Sequence, residues 1–508
     1  MPDPLYTGPD WDFATLERIH DAIEPIAIDE LGLDIYPNQI EVITSEQMLD
    51  AYTSTGMPMM YSHWSFGKNF AREEWLYRKG AQSLAYELVI NSNPCVSYVM
   101  EENTTTMQAL VIAHAAFGHN HFFKNNHVFQ AWTHADSVLD DLSYAKRFIA
   151  AAGVRHGELA VERTLDAAHA LMNYGVSKYA TTRCSKRERE RRLRARQEFD
   201  ERNYDDLLHR TNPNTGDGSD RETKPKQPVE PLPLPEENLL EFLAEFAPRL
   251  EDWQREVLRI VARLSQYFYP QRQTKLMNEG CATFVHYHIM HRMYDRGLID
   301  EGSMLEFLRS HTAVVAQPRF DQRNFSGINP YALGFAMMRD IQRICQRPEA
   351  EDREWFPEIA GCGDGMAVLR DAWRDYRDES FVLQFLSPRL IREMHLFAVS
   401  DNRRHPFLAV AAIHDEEGYR DIRRQLARSY DLAQREPEIE VIQADLKGNR
   451  HLVLRHRVRR GRLLTEETCN RTLRYIAKLW GYRVKLLELD AETGRELRKH
   501  EAVPEVTA

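Results

Sequence analysis

A run of histidines and asparagines between residues 114 and 127 is the part of this 508-residue sequence best suited to chemistry. It reads His-Ala-Ala-Phe-Gly-His-Asn-His-Phe-Phe-Lys-Asn-Asn-His. Imidazole binds zinc and related divalent metals, commonly together with a carboxylate. Glu279, in the segment Asn278-Glu279-Gly280, offers that carboxylate. We therefore predict a zinc or other divalent-metal site with His114, His119, His121 and Glu279 as ligands, and with Glu279 and His119 as its catalytic residues.

The spacing of these histidines does not by itself form a metal site. Zincins place two histidines at i and i+4 with a glutamate between them, and no glutamate follows His114. His114 and His119 lie about 140° apart around an ideal helix, and His121 shares a face with His114 about 10 Å further along. A helical bulge at Gly118 would bring the first two together. The metal prediction therefore depends on a local distortion of the helix.

Two alternative readings of the polar residues stay open at this point. Histidine, asparagine and glutamate can form a buried hydrogen-bonded network that holds helices together, provided that every member is satisfied. They can also line a pocket for an anionic or glycan-like ligand. The candidate ligand-binding residues for such a pocket are His63, Lys68, Glu101, Lys124, Asn125 and Asn126. A weaker cluster on one helix face, better explained by local pairing, consists of Glu162, Asp166 and His169.

Hydrophobic periodicity predicts the helices that would position these side chains. Residues 1–182 are predicted to be mostly helical, and Thr44-Ser45-Glu46-Gln47 predicts a capping box that opens one helix. The principal predicted helices cover 71–91, 104–124, 135–152, 156–173, 275–295, 330–346 and 364–378. Alternating strands flank Lys447-Gly448-Asn449, a good hairpin signal. The predicted fold is a mainly α-helical body with a smaller C-terminal α+β module.

The expected domain organisation follows from composition. Residues 1–199 and 237–390 should form the two halves of one helical body, joined by a charged, proline-rich loop at 200–236. The α+β module should cover 391–495, followed by a tail at 496–508.

Charge and composition exclude several classes of protein. The net charge is −11, which argues against a dedicated nucleic-acid binder; we interpret the basic run at 183–196 as a solvated helix end. The sequence has no signal-peptide pattern at its start and no apolar stretch long enough for a membrane span. Its six cysteines are scattered, which is typical of reduced thiols. We therefore expect a cytoplasmic protein.

Several longer motifs resemble the SpoVR family, and the chain is similar to its YcgB-type branch in non-sporulating bacteria. These motifs are His63-Trp-Ser-Phe-Gly-Lys68, Glu101-Glu102-Asn103-Thr104, the histidine-rich run and Asn278-Glu279-Gly280. Cys281 stands where the family pattern has tryptophan, a difference that concerns local packing. The segment that begins at Asn278 also resembles the one that supplies the glutamate ligand in gluzincin metalloproteases.

The family resemblance implies a biological setting rather than a reaction. It implies a regulatory or adaptor role in stationary-phase or envelope physiology, related to spore cortex or peptidoglycan. A PrkA-type serine kinase and a YhbH-type protein are the implied partners. The alternative, which rests on the residues themselves, is a metal-dependent hydrolase with a His/Glu site.

Overall fold

The computed structural model of the chain describes residues 3–54, 57, 60–78, 87–178, 234–319, 322, 325, 327–400, 409–412 and 415–504. The basic run at 183–196 and residues 200–233 of the predicted loop lie outside the described residues. The chain divides into two compact units. The first comprises 1–166 and 263–437, and the second 167–262 and 438–508. The predicted mainly helical fold with a small C-terminal α+β region is confirmed.

The first part of the first unit contains helices interleaved with three strands. The predicted capping box is present at Thr44, whose side chain accepts from the Gln47 amide. The elements are α1 (Phe13–Pro25), which continues as a π-helical turn (Ile26–Glu30), β1 (Asn38–Ile43), α2 (Ser45–Thr53), α3 (Trp64–Arg78), β2 (Glu87–Ile90), β3 (Cys95–Met100), α4 (Thr105–Val111), a π-helix (Ile112–His119), α5 (Asn120–Asn125), α6 (His127–Trp132), α7 (Val138–His156) and α8 (Glu158–His169).

The second part of the first unit is helical apart from one short strand pair. Helix α9 (Leu239–Phe246) belongs to the second unit, and α10 (Asp252–Gln273) begins there and ends in the first. The first unit continues with α11 (Lys275–Asp295), α12 (Glu301–Val314), α13 (Pro330–Gln346), α14 (Ala350–Trp355), α15 (Gly365–Asp375), α16 (Asp378–Phe385), α17 (Pro388–Glu393), β4 (Ala398–Ser400), β5 (Ala409–Ala412), α18 (Glu416–Tyr430) and α19 (Leu432–Arg435).

Helix α11 lies at the centre of the first unit and packs between the π-helix and α13. Most of its residues from Leu276 to Val285 are buried, so it has no broad solvent face. Glycines allow its backbone to approach both neighbours closely. A Cβ atom on Gly280 would lie 2.7 Å from the Cα atom of Gly334 in α13, and one on Gly118 would lie 2.6 Å from the Cα atom of Ala282.

A three-stranded sheet covers one side of the π-helix. Its order is β1-β3-β2, with β1 and β3 parallel and β2 and β3 antiparallel. The sequence analysis did not predict this sheet. The predicted helix at 71–91 is wrong in its last residues, because Glu87–Ile90 is a strand. Its β-branched residues Val89 and Ile90 pair with Ser97 and Val96 of β3, and this tertiary pairing overrides the helical pattern.

The second unit contains a four-stranded sheet, β6 (Ile439–Ala444), β7 (Leu452–Val458), β8 (Val484–Asp490) and β9 (Glu496–Ala502), in that order. β7 and β8 are parallel and are connected through α20 (Glu466–Trp480), whereas the other neighbours are antiparallel. Helix α9 contributes Phe242, which stacks on the fully buried Trp480 with ring centroids 6.1 Å apart.

Several boundaries differ from the predicted organisation. Residues 167–178 and 237–262, expected in the helical body, belong to the second unit. Residues 496–502, inside the segment expected to be a tail, form strand β9. This strand is mostly exposed and polar, so it lacks the apolar alternation that predicts a strand. Residues 391–437 belong to the first unit. Helix α18 holds them there, because Arg423 donates from Nε to the carbonyl oxygen of Leu386 at 2.9 Å.

A helix that crosses a lipid bilayer must be long and predominantly apolar. None of the helices in the described ranges combines the necessary length with sufficient apolar character.

Candidate metal centre

The π-helix Ile112–His119 brings His114 and His119 together. Hydrogen bonds of a π-helix join residues five apart, so side chains at i and i+5 become neighbours on adjacent turns. The two imidazole rings meet edge to face with centroids 4.6 Å apart. All eight residues of the π-helix are buried. The distortion that the sequence required near Gly118 is therefore present and extends over eight residues.

Helix α11 carries Glu279 to the two histidines. Glu279 Oε2 lies 3.7 Å from His119 Nε2 and 4.0 Å from His114 Nε2. One donor atom from each residue lies within 4.8 Å of the other two. This approach depends on Gly118, because a side chain there would collide with the backbone of Ala282, three residues beyond Glu279.

A buried aspartate fixes the start of α11. Both carboxylate oxygens of Asp378 accept hydrogen bonds from the first turn, from the amides of Leu276 at 2.8 Å and Met277 at 2.9 Å. Burial raises the pKa of Asp378 to about 7, although these two amides act to lower it. Asp378 thus satisfies amides that have no partner within the helix, and it anchors the turn that precedes Glu279.

A second carboxylate, Glu87, reaches the same place from strand β2. Its Oε1 atom lies 3.8 Å from His114 Nε2. Burial, followed by the charge of the nearby Glu279 carboxylate, raises the pKa of Glu87 to about 8. Tyr331 of α13 hydrogen-bonds to Glu279 through its hydroxyl group. Sequence reasoning did not select Glu87 or Tyr331. The one signal for Glu87 is a charged residue directly before the apolar run Leu-Val-Ile.

Hydrogen bonds leave an acceptor nitrogen of His119 facing the cluster. His119 Nδ1 lies 2.9 Å from Asn278 Oδ1. An amide oxygen only accepts, so Nδ1 carries the proton and the lone pair is on Nε2, which faces Glu279. Such an arrangement is typical of metal-binding histidines, whose second nitrogen donates to a neighbouring oxygen.

Two buried atoms of the cluster lack hydrogen-bond partners. Within the described part of the chain, His114 Nε2 and Glu279 Oε2 have none. Burial, followed by the nearby His119 and His286 rings, lowers the pKa of His114 well below its usual value, so its imidazole is neutral. An unpaired buried carboxylate oxygen is costly, and a cation at this position would satisfy it.

The donor set fits zinc in chemistry and in spacing. Neutral imidazole and carboxylate are ordinary zinc ligands, and catalytic zinc sites use three protein ligands with the fourth position open. Ligand atoms bound at 2.0–2.1 Å to a tetrahedral zinc lie about 3.3–3.5 Å apart. The observed separations of 3.7 and 4.0 Å require only small side-chain movements to reach that geometry.

The structure does not bring His121 into this group. The π-helix ends at His119, and the α-helical turn that follows places His121 against another part of the unit. Its Nδ1 atom lies 3.0 Å from the amide nitrogen of Asp34, and its ring packs edge-on against Trp373. Burial lowers the pKa of His121 to about 4.

Three other predicted ligand-binding residues hold neighbouring segments together. Lys124 donates to Asp34 Oδ1 at 2.5 Å and to the carbonyl oxygen of Ile35 at 2.8 Å. Asn125 donates to the carbonyl oxygens of Asp34 and His121. Asn126 is buried and donates to the carbonyl oxygens of Trp373 and Tyr376.

The remaining predicted residues lie apart from this donor group. Lys68 and Glu101 are exposed. His63 contacts Ser65 Oγ through Nδ1 at 2.6 Å and lies 3.3 Å from Asp166 Oδ1 through Nε2. Asp166, from the weaker predicted cluster, also accepts from the indole nitrogen of Trp64 at 2.8 Å. Both contacts join Asp166 to the distant segment 63–64, so they are not the local pairing expected there.

Comparison with known proteins identifies the family. Residues 10–435 match the family described as SpoVR like protein, and residues 437–491 match the SpoVR-like C-terminal domain. The chain is 50% identical over 494 residues to the uncharacterized protein YcgB of Escherichia coli strain K12, covering 97% of this chain and 95% of that protein. No solved structure matches. Since the two family models together span most of the sequence, the chain belongs to the SpoVR family.

Proposed function

We propose that this chain is a metal-dependent hydrolase with His114, His119 and Glu279 as the metal ligands. The observation that carries the proposal is the convergence of three buried donor atoms within 4.8 Å, two of them without hydrogen-bond partners in the described residues. A divalent metal bound there would supply a water molecule of lowered pKa, the usual nucleophile of zinc hydrolases. The sequence-based assignment of Glu279 and His119 as catalytic residues belongs to this proposal.

Three other residues of the chain orient the metal ligands or accept a proton. Asn278 holds His119 in the tautomer that presents Nε2. Tyr331 donates to Glu279 and so fixes the orientation of that carboxylate. Glu87, 3.8 Å from His114 Nε2, is placed to accept a proton from water held beside the ligands once its own carboxyl group, whose pKa is raised to about 8, has lost its proton. This assignment gives Glu87 the role of the glutamate that is missing after His114.

Zinc titration of the full chain tests the ligand set. The untagged protein, stripped with a chelator, is titrated in competition with a chromophoric zinc indicator. We expect one zinc per wild-type chain and at least about 10-fold weaker binding for Glu279→Gln, because glutamine keeps the size of the side chain and removes its charge. Glu101→Gln, an exposed glutamate of the same unit, is the matched control and should bind as wild type does.

Urea unfolding of the same two proteins, with and without zinc, separates the metal site from a purely structural network. If the residues form only a hydrogen-bonded network, Glu279→Gln lowers the urea midpoint of unfolding, and added zinc does not change the midpoint of either protein. A wild-type chain that binds no stoichiometric zinc contradicts the proposal. For the hydrolytic step, we expect chelator-sensitive cleavage of ester or peptide substrates by the wild type, and Glu87→Gln should retain zinc and lose this activity.

A second proposal concerns the cellular role and is supported by the family resemblance alone. It is a cytoplasmic regulatory or adaptor function beside a PrkA-type serine kinase and a YhbH-type protein in stationary-phase or envelope physiology. The test is co-purification of the untagged full chain with each protein from stationary-phase cells. Absence of both from the purified material contradicts this role and leaves the hydrolase proposal unaffected.

A further inference from the structure

Three buried histidines form a continuous chain that begins at the candidate metal centre. His114 Nδ1 lies 2.9 Å from His286 Nδ1, and His286 Nε2 lies 2.9 Å from His311 Nδ1. The residues come from the π-helix, α11 and α12. Their exposed fractions are 4%, 2% and 5%, so these contacts are shielded from water. None of the sequence-based site predictions includes His286.

The chain can have only one direction when His114 binds a metal through Nε2. Each of the two contacts joins two ring nitrogens, so one nitrogen carries the proton and the other offers a lone pair. A metal uses the lone pair on His114 Nε2, so the proton of this ring is on Nδ1. It is donated to His286 Nδ1, which places the proton of His286 on Nε2. That proton is in turn donated to His311 Nδ1.

The outer end of the chain is held by packing. The His311 ring lies edge-on against Phe335 at a centroid distance of 4.8 Å and contacts Tyr287 at 5.1 Å and Phe307 at 5.6 Å. These aromatic neighbours restrict the rotation that would turn Nδ1 away from His286. The charged side chain that faces this end is Arg339, which together with burial and His291 lowers the pKa of His311 to about 4.

We propose that His286 and His311 are positioning residues that fix His114 in the Nδ1-protonated tautomer required for metal binding. The inference rests on the proposed function, because it concerns the same ligand. According to this inference, His311, which is two hydrogen bonds away from the metal ligand His114, affects the metal affinity. In the opposite direction of the chain, the proton of His114 would occupy Nε2 and block the ligand position.

Zinc affinity of substituted full-length chains tests this inference. His286→Leu removes the imidazole acceptor of His114, leaves its hydrogen bond to the backbone of Ala282 and should weaken zinc binding about 10-fold or more. His311→Leu leaves the His114–His286 contact in place and should weaken binding in the same direction by a smaller factor. His311→Asn places an amide oxygen where Nδ1 was and should restore most of the affinity. His288→Leu, on the same helix but outside the chain of contacts, is the matched control and should bind as wild type does.

A spectroscopic readout distinguishes positioning from general loss of packing. Spectra of zinc-free protein labelled with ¹⁵N-histidine should show His286 protonated at Nε2 in the wild type and in His311→Asn. In His311→Leu, His286 should lose this single tautomer.

The possible failures point to different conclusions. If the wild type binds no zinc, the proposed function fails, and the inference fails with it. If the wild type binds zinc and His311→Leu binds equally well, the inference alone is overturned. Equal weakening in His311→Leu and His288→Leu, or no recovery in His311→Asn, also overturns it, because the effect is then not carried by the hydrogen bond.

Discussion

Two glutamates, one in each unit, have environments that shift their pKa values in opposite directions. Glu87 has a histidine and a second carboxylate beside it, and burial with the charge of Glu279 raises its pKa to about 8. For Glu488 in β8, burial acts to raise the pKa, but hydrogen bonds from the Leu464 amide, His500, Arg498 and His456 outweigh it and lower the pKa to about 2. The first environment suits chemistry, and the second is a satisfied structural network.

Sequence reasoning could not find the Glu488 network. His456, Glu488 and Arg498 are far apart in sequence, and only the strand register brings them together. Parallel pairing aligns His456 with Glu488, and antiparallel pairing aligns Glu488 with Arg498. Each residue alone resembles an ordinary strand-face polar residue.

The stability of the second unit should therefore depend on pH through Glu488. Its folded-state pKa of about 2 is below the ordinary glutamate value of 4.5, so the stabilisation is fully present above about pH 4.5 and is lost as the pH falls toward 2. Glu488→Gln should destabilise the unit by about 3–5 kcal/mol at pH 6, because it leaves buried partners unpaired. The difference from wild type should shrink by pH 3.

The measurement is urea unfolding at each pH, with pulsed hydrogen exchange that reads peptides from β7 and β8. Glu496→Gln, an exposed glutamate on β9, serves as the control and should follow the wild type throughout. A Glu488→Gln deficit that stays constant from pH 6 to pH 3 contradicts the assignment.

Among the secondary-structure elements, the π-helix is the one that makes the candidate centre. The capping box at Thr44 was predictable, because its four residues interact with one another. The helix around residues 104–124 was predictable from periodicity, and so was the need for a distortion within it. The length of the π-helix was not, because it depends on the close approach of α11 at Gly118, a contact between residues distant in sequence.

Gly118→Ala tests this dependence. The new Cβ atom would lie 2.6 Å from the Cα atom of Ala282, so the π-helix and α11 must move apart. We expect a loss of about 1–3 kcal/mol in the free energy of unfolding and a clear loss of zinc affinity, because His119 and Glu279 separate. Gly67→Ala in α3 has no atom within 4 Å and is the control; it should retain zinc affinity and gain slightly in stability. Wild-type zinc affinity in Gly118→Ala would show that the close packing does not position the site.

In the whole molecule, the two compact units are both discontinuous in sequence. The sequence analysis predicted an α+β module after residue 390 but not which earlier segments accompany it. Phe242 and Leu243 lie on the apolar face of an ordinary amphipathic helix. Nothing in the sequence pattern of that helix indicates that Phe242 contacts Trp480. Periodicity predicts that a face is buried, whereas the partner of that face depends on the assembled fold.

At the candidate metal centre, too, residue type predicts some of the site residues and the assembled fold determines the others. Residue types were sufficient to select His114, His119 and Glu279, which the fold brings together. They also selected His121, Lys124 and Asn126, which the fold uses to join neighbouring segments. Glu87 and His286 were passed over because their importance comes entirely from what lies beside them.

X-ray absorption at the zinc edge of the untagged, zinc-loaded full chain tests the central claim most directly. The account predicts one zinc per chain with two imidazole nitrogens and carboxylate or water oxygens at about 2.0–2.2 Å, and no sulfur. The imidazole signal should fall by one ligand in His119→Leu and stay unchanged in His121→Leu. Absence of stoichiometric zinc, a sulfur ligand, or loss of an imidazole in His121→Leu would contradict it.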